Sequence, residues 1–162
     1  MEPIISFTAN NRFLSNFFVL KVPVEFEGME FATTENAYVA AKTTDLKLRL
    51  EIKAMKPGEA KRFGKRIFKE NLSTNPKWSD KFRLELMEDL VFQKFLKNGE
   101  LQSLLLATGL SPLIEGNMHH DNFFGICKCG NCPEDARKYT GLNILVKILM
   151  DARERLRTRN DL

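Results

Sequence analysis

No run of apolar residues in the sequence reaches the ~18 that a membrane-crossing helix needs. The amino-terminal Met1-Glu2-Pro3-Ile4-Ile5 lacks the basic-then-apolar order of a secretory signal, so a cytoplasmic protein with no membrane association is expected. Cysteine is scarce and clustered. All three fall in Cys127-Lys128-Cys129-Gly130-Asn131-Cys132, which is no disulfide framework and fits a reducing compartment. Gly-x-Gly-x-x-Gly, the P-loop and Gly-x-Ser-x-Gly are also missing. Their absence removes motif support for a Rossmann-type cofactor, Walker-type nucleotide hydrolysis and hydrolase-elbow chemistry.

What is present is enough for one folded unit. The chain has 162 residues, 43% hydrophobic, with thirteen Phe to fill a core. A charged fraction of 28% argues against disorder. The net charge of +4 is compatible with a nucleotide or nucleic-acid partner without establishing one. Much of the excess sits in Lys61, Arg62, Lys65 and Arg66, and in Arg153, Arg155, Arg157 and Arg159, runs that read first as solvated helix faces.

The first thirty residues read as short extended pieces. Ile4-Ile5-Ser6-Phe7 and Val22-Pro23-Val24-Glu25-Phe26 are β-prone, and Glu27-Gly28 marks a turn before Met29-Glu30-Phe31. Thr33 or Thr34 suits a helix N-cap, with Glu35 in the first turn. Pro57 opens another helix, on which Ala60, Phe63, Gly64 and Ile67 form one stripe. Gly64 costs that helix about 1 kcal/mol against Ala, so close packing is the reason expected for it. Ser79-Asp80 starts a helix with Leu86, Met87, Leu90 and Val91 on its core face and a stop at Asn98-Gly99. A short helix through Leu104-Leu105-Leu106 ends at Gly109, and a last one spans about Thr140 to Arg157. Loops and short extended pieces fill Ser111 to Cys132. The architecture expected is α+β, a mostly helical single domain over residues 1–162 with a small N-terminal β-sheet.

Two segments concentrate chemistry. On the helix after Thr34, at about 100° per residue, Glu35, Tyr38 and Lys42 fall within about 60° of one another, while Ala37, Ala40 and Ala41 cover another face. That stripe suits either a polar cleft or a capping glutamate, a half-buried tyrosine and a snorkelling lysine. The second segment, Glu115 to Gly125, gathers Glu115, His119, His120, Asp121, Phe123 and Phe124 in a loop rich in Gly and Asn. Carboxylates of this kind can activate water and support an oxocarbenium-like transition state. The Cys-x-Cys-x-x-Cys spacing is compatible with zinc, with His119 or His120 as a fourth ligand. It lacks the two separated pairs of a strong zinc motif, so reduced thiols and no metal site are expected.

Motif order carries more than any single motif. Phe13-Leu14-Ser15-Asn16-Phe17-Phe18 is followed by Phe31-Ala32-Thr33-Thr34-Glu35-Asn36-Ala37-Tyr38-Val39-Ala40-Ala41-Lys42, then Ala60-Lys61-Arg62-Phe63-Gly64 and the lone Trp78. Leu105-Leu106-Ala107-Thr108-Gly109, Glu115, Asp121-Asn122-Phe123-Phe124-Gly125 and Gly141-Leu142-Asn143-Ile144-Leu145 complete the series. This order, over about residues 7 to 157, resembles the NADAR (YbiA-like) N-glycosidase family. Departures from its pattern are Asn36 where histidine is usual, Phe31 and Phe124 in place of tryptophan, and Val146 for the second glycine of the closing motif.

The resemblance implies hydrolysis of N-glycosidic bonds without a redox cofactor or catalytic metal. Activities known in the family include cleaving phosphorylated riboflavin-pathway intermediates and removing ADP-ribose from guanine. The resemblance also implies Glu35 and Asp121 as catalytic carboxylates. Arg12, Asn16, Tyr38, Lys42, Trp78, Glu115 and Phe124 are the implied substrate-binding residues, with Lys42 on a phosphate or ribose oxygen and Trp78 or Phe124 stacked on the base. The partner expected is an ADP-ribose-type nucleotide, in the favoured case ADP-ribosylated guanine in DNA or RNA. Phosphorylated riboflavin precursors, or sensing of NAD-derived nucleotides without catalysis, are the alternatives.

Overall fold

Glu27 and Gly28 both hold left-handed backbone angles, φ +47° and +78°, as a two-residue hairpin turn requires. The turn joins β1 (Val24–Phe26) to β2 (Met29–Phe31) in an antiparallel pair with Val24 opposite Phe31. Both of those side chains are fully buried. This hairpin is the small N-terminal sheet expected from the sequence. The computed structural model that shows it describes residues 2–4, 7–117, 121–133 and 142–160.

The chain divides into two compact units, residues 16–99 and residues 1–15 with 100–162. In the first, four helices follow the hairpin: α1 (Thr34–Ala40), α2 (Leu46–Ala54), α3 (Pro57–Lys69) and α4 (Asp80–Lys97). Their starts are chemically marked. Thr33, Asp45 and Ser79 accept backbone N–H groups on their side-chain oxygens, and Pro57 opens α3. Every residue of α1 is buried, and α2, α3 and α4 all pack on it. The free edge beside β1 is covered by two amides. Gln93 accepts from Glu25 N–H at 2.8 Å and donates to its carbonyl at 3.0 Å, and Asn98 treats Val22 in the same way at 2.9 and 3.0 Å. Two side chains thus stand in for a strand.

The second unit departs from expectation at its beginning. Ala9–Leu14 is a 3-10 helix, not an extended piece. The turn-forming Thr8-Ala9-Asn10-Asn11 gives no alternating pattern to hold a strand, and the helix lets Phe13 and Leu14 bury. Ile4 does pair in extended form, donating to the Pro112 carbonyl and accepting from Ile114 N–H, both at 2.8 Å. The rest of the expected Ile4–Phe7 strand includes Ile5 and Ser6, which lie outside the described residues.

Helix α5 (Gly99–Ala107) starts directly after the Asn98 cap and is longer than the Leu104–Leu106 piece expected. Two short strands, β3 (Gly116–Asn117) and β4 (Ile126–Cys127), pair in parallel. The last helix, α6 (Ile144–Asn160), begins later than expected. Thr140 lies outside the described residues, and Leu142 precedes the helix because Asn143 takes a left-handed φ of +44°. Helix α6 buries Leu145, Ile148, Leu149, Ala152 and Leu156 along one side. No helix among the described residues is long and apolar enough to cross a membrane.

Candidate active site

Helix α1 stops at Ala40, two residues short of Lys42. Lys42 N–H instead reaches back three residues to the Val39 carbonyl at 3.0 Å, a tightened final turn. Lys42 nevertheless stays with Tyr38. Its Nζ is 5.4 Å from the Tyr38 ring centroid and 5.6 Å from those of both Phe68 and Trp78. Three ring faces of negative quadrupole favour an ammonium there. Trp78 packs edge-on to Tyr38 at 5.3 Å and also meets Phe68 and Phe82.

The backbone under this cluster is tied down by Asn75, which sequence reasoning missed. Its N–H donates to the Lys42 carbonyl at 2.8 Å, and its side-chain amide donates to the Ala41 carbonyl at 2.8 Å. In return the Asn75 carbonyl accepts Trp78 N–H at 3.0 Å. One residue therefore holds Lys42 and Trp78 at a fixed separation. The signal was the Asn75-Pro76 pair, a turn former whose side-chain oxygen accepts Lys77 N–H. Phe68 was missed because nothing in its helical position marks a half-exposed ring as a partner for Lys42. Lys94 was missed as well. It occupies the core stripe of α4, almost wholly buried, with Nζ 5.1 Å from the Phe95 centroid and 5.9 Å from that of Phe18.

Glu35 is 8% exposed, at the start of α1. Its N–H donates to the Asn16 carbonyl at 3.0 Å, which brings Asn16 beside it. The Asn16 Oδ1 is buried without a hydrogen-bond partner, as is Oγ1 of Thr34, the residue before Glu35. Asn36, where an imidazole was the usual alternative, does structural work. Its Nδ2 donates to the carbonyls of Ile52 and Met55 at 2.7 and 2.8 Å, and its Oδ1 accepts from the Thr33 hydroxyl. The amide thus satisfies the carboxy-terminal end of α2.

The remaining sequence-derived residues belong to the other unit. Asp121 caps a turn, its Oδ1 accepting from Phe123 and Phe124 N–H at 3.2 and 3.0 Å. Phe124 is buried against Phe123, with ring centroids 4.8 Å apart. The carbonyls of Phe123 and Phe124 accept the first N–H groups of α6, from Ile144 and Leu145. Glu115 joins the same neighbourhood through its carbonyl, which accepts Ile126 N–H at 2.8 Å. Arg12 is exposed on the 3-10 helix. His119 and His120 lie outside the described residues. The structure therefore brings Tyr38, Lys42 and Trp78 together, Asn16 with Glu35, and Glu115 with the Asp121 loop.

The NADAR domain matches residues 6–157, nearly the whole chain. This chain belongs to the NADAR family. Among its relatives is N-glycosidase YbiA of Escherichia coli, 31% identical over 135 residues, which are 83% of this chain and 76% of that protein. The riboflavin biosynthesis protein VVA0006 of Vibrio vulnificus is 33% identical over 147 residues, 91% of this chain but 36% of its own length. The chain thus spans about a third of the Vibrio protein. The NMR structure of E. coli YbiA aligns with a TM-score of 0.70 at 26% identity, covering 99% of this chain and 89% of that one. The NADAR family membership and the α+β, mostly helical fold expected from the sequence are both borne out. Gly64 of α3 packs directly on the end of α1. A Cβ at position 64 would stand 3.0 Å from Lys42 Nζ and 3.2 Å from a Val39 methyl.

Proposed function

We propose that this chain is an N-glycosidase that hydrolyses the bond between a ribosyl anomeric carbon and a base nitrogen in an ADP-ribosyl or phosphoribosyl adduct. The observation that carries the reading is the polar group around Glu35. Glu35 is buried, its N–H bonded to the Asn16 carbonyl and Thr34 next to it in the chain, and the side-chain oxygens of those two neighbours, Asn16 Oδ1 and Thr34 Oγ1, are buried without a hydrogen-bond partner. Buried polar atoms of this kind call for a partner, and ribose hydroxyls or a base N–H group supply one. In the reaction the anomeric C–N bond breaks and the water oxygen bonds to carbon. One water proton passes to a carboxylate, and the departing base nitrogen takes up a proton. Glu35 or Asp121 is the carboxylate that polarises water and supports the cationic transition state. Lys42 binds a phosphate or ribose oxygen, with Trp78 or Phe124 stacking on the base.

The favoured target is ADP-ribosylated guanine in nucleic acid. Helix α3, whose Gly64 packs against Lys42, carries exposed Arg62, Lys65 and Arg66 on its outer side, with Lys61 beside them. Such a basic face suits a polyanion. A second reading, hydrolysis of phosphorylated riboflavin precursors, is supported by the similarity to the Vibrio riboflavin biosynthesis protein.

The test is to incubate the protein with an ADP-ribosylated guanosine oligonucleotide and, separately, with aminopyrimidine ribosyl phosphates, following free base by mass. Release from the oligonucleotide, weakening with added salt, supports the favoured target. Release only from the pyrimidines supports the second reading. Binding without release from either overturns catalysis and makes the protein a nucleotide sensor.

A further inference from the structure

The cysteines play no part in the proposed hydrolysis, yet the fold gathers them. The three Sγ atoms of Cys127, Cys129 and Cys132 all lie within 4.8 Å of one another, and those of Cys129 and Cys132 are 3.6 Å apart. A tetrahedral zinc with Zn–S bonds of about 2.3 Å sets its sulfurs about 3.8 Å apart. None of the three is in a disulfide and each is half-buried, so they are not ordinary core thiols.

Two of the three sulfurs accept N–H groups from the surrounding loop. Asn131 N–H donates to Cys129 Sγ at 3.3 Å, and Asn122 Nδ2 donates to Cys132 Sγ at 3.2 Å. Gly130 supplies the left-handed φ of +74° that folds Cys129-Gly130-Asn131-Cys132 into a tight knuckle. Cys127 is fixed separately, at the end of β4, where Asn122 Oδ1 accepts its N–H at 3.0 Å. The side chain of Lys128 lies over Gly116, where any Cβ would stand 2.7 Å from its Cε.

We propose that Cys127, Cys129 and Cys132 form a three-thiolate site for Zn2+, with one coordination position left for a group outside the trio. Asn122 is the outer partner that couples this site to the loop carrying Asp121. Its carboxamide spans Cys127 and Cys132 from within Asp121-Asn122-Phe123-Phe124, so the metal acts as a structural clip on that loop. Thiolate-rich sites of this type contribute folding energy and need no open catalytic position. The chain was expected from its sequence to hold plain reduced thiols, and this assignment replaces that expectation.

The experiment uses the full chain, purified without chelator and analysed for metals. The reduced apoprotein is then titrated with Co2+ as a spectroscopic stand-in. About one zinc per chain is expected, with a thiolate-to-cobalt charge-transfer band and the visible bands of tetrahedral cobalt. Cys127→Ser, Cys129→Ser and Cys132→Ser should each weaken that band, and Asn122→Ala, which keeps all three thiols, should lower zinc affinity about tenfold. Failure of the reduced wild-type chain to take up either metal overturns the proposal. So does iron in place of zinc, or a Cys129–Cys132 disulfide that persists without metal uptake. None of these readouts depends on turnover, so the glycosidase reading stands or falls separately.

Discussion

Gly64 and Lys42 meet where α3 lies against α1, so closely that a methyl at position 64 fits only if its neighbours give by a few tenths of an ångström. A Cβ there would stand 3.0 Å from the Lys42 Nζ and 3.2 to 3.3 Å from both Val39 methyls. The glycine therefore helps set where the ammonium sits among Tyr38, Phe68 and Trp78.

Gly64→Ala sets two effects against each other. Alanine gains about 1 kcal/mol of helix propensity, while overpacking against branched Val39 costs about 1–3 kcal/mol. A net loss of about 1 kcal/mol in denaturant unfolding is expected, and Gly64→Leu should lose clearly more. Because the Lys42 tip is the more movable neighbour, Gly64→Ala should also raise KM for a phosphorylated substrate. An unchanged KM together with increased stability would show that the contact is slack.

Glu35→Gln and Asp121→Asn are near-isosteric and remove a carboxylate without emptying space. At least one should lower kcat by about 100-fold or more, the usual scale for a lost general base, while the melting curve stays close to wild type. Lys42→Met should act mainly on KM, by about tenfold, if it binds ground state and transition state alike. Full activity in both carboxylate variants would remove Glu35 and Asp121 from the mechanism.

Asn36 joins α1 to the end of α2 through two donated hydrogen bonds. Asn36→Ala leaves the Ile52 and Met55 carbonyls without that donor, at a cost of about 2–3 kcal/mol. Asn36→Asp should be worse, since it places an acceptor-only carboxylate against the same two carbonyls. Chemical denaturation of the three proteins gives the order directly. An aspartate variant as stable as wild type would contradict these bonds.

Arg153 is buried on α6, and its Nη1 donates to Thr108 Oγ1 at 2.8 Å and to the Ser111 carbonyl at 3.1 Å. Burial, with Arg157 adding repulsion, holds its pKa below the ordinary arginine value. The charged form carries a folding penalty that is relieved only as pH rises through the folded-state pKa. Across the neutral range the penalty is constant, so Arg153→Met should destabilise by about 2 kcal/mol with no pH trend. Loss concentrated within one neutral pH step would point to a different titrating group.

Local chemistry was legible in the chain. Thr33, Pro57 and Ser79 start helices where caps and a fixed proline φ dictate, and Glu27-Gly28 turns the hairpin because two left-handed residues are needed there. Gly64 announced a close approach, and motif order along residues 7 to 157 pointed to the NADAR family that the domain match then established. Boundaries were less legible. The Ala9–Leu14 turn and the late start of α6 depend on which side chains find burial, not on local preference.

The sequence by itself determined the hairpin, the starts of α1, α3 and α4, the family and the stripe that puts Lys42 near Tyr38, because these rest on interactions a few residues apart; α2 and the Ala9–Leu14 turn were not among them. Only the tertiary structure decided what surrounds that stripe. Phe68 and Trp78 come to Lys42 from 26 and 36 positions away, Asn75 fixes their spacing, and Asn36 finds its carbonyls on the next helix. The convergence of three sulfurs likewise needs the turn at Gly130 and the anchor at Asn122. Contacts between distant residues follow from packing, and packing leaves no period in the chain to read.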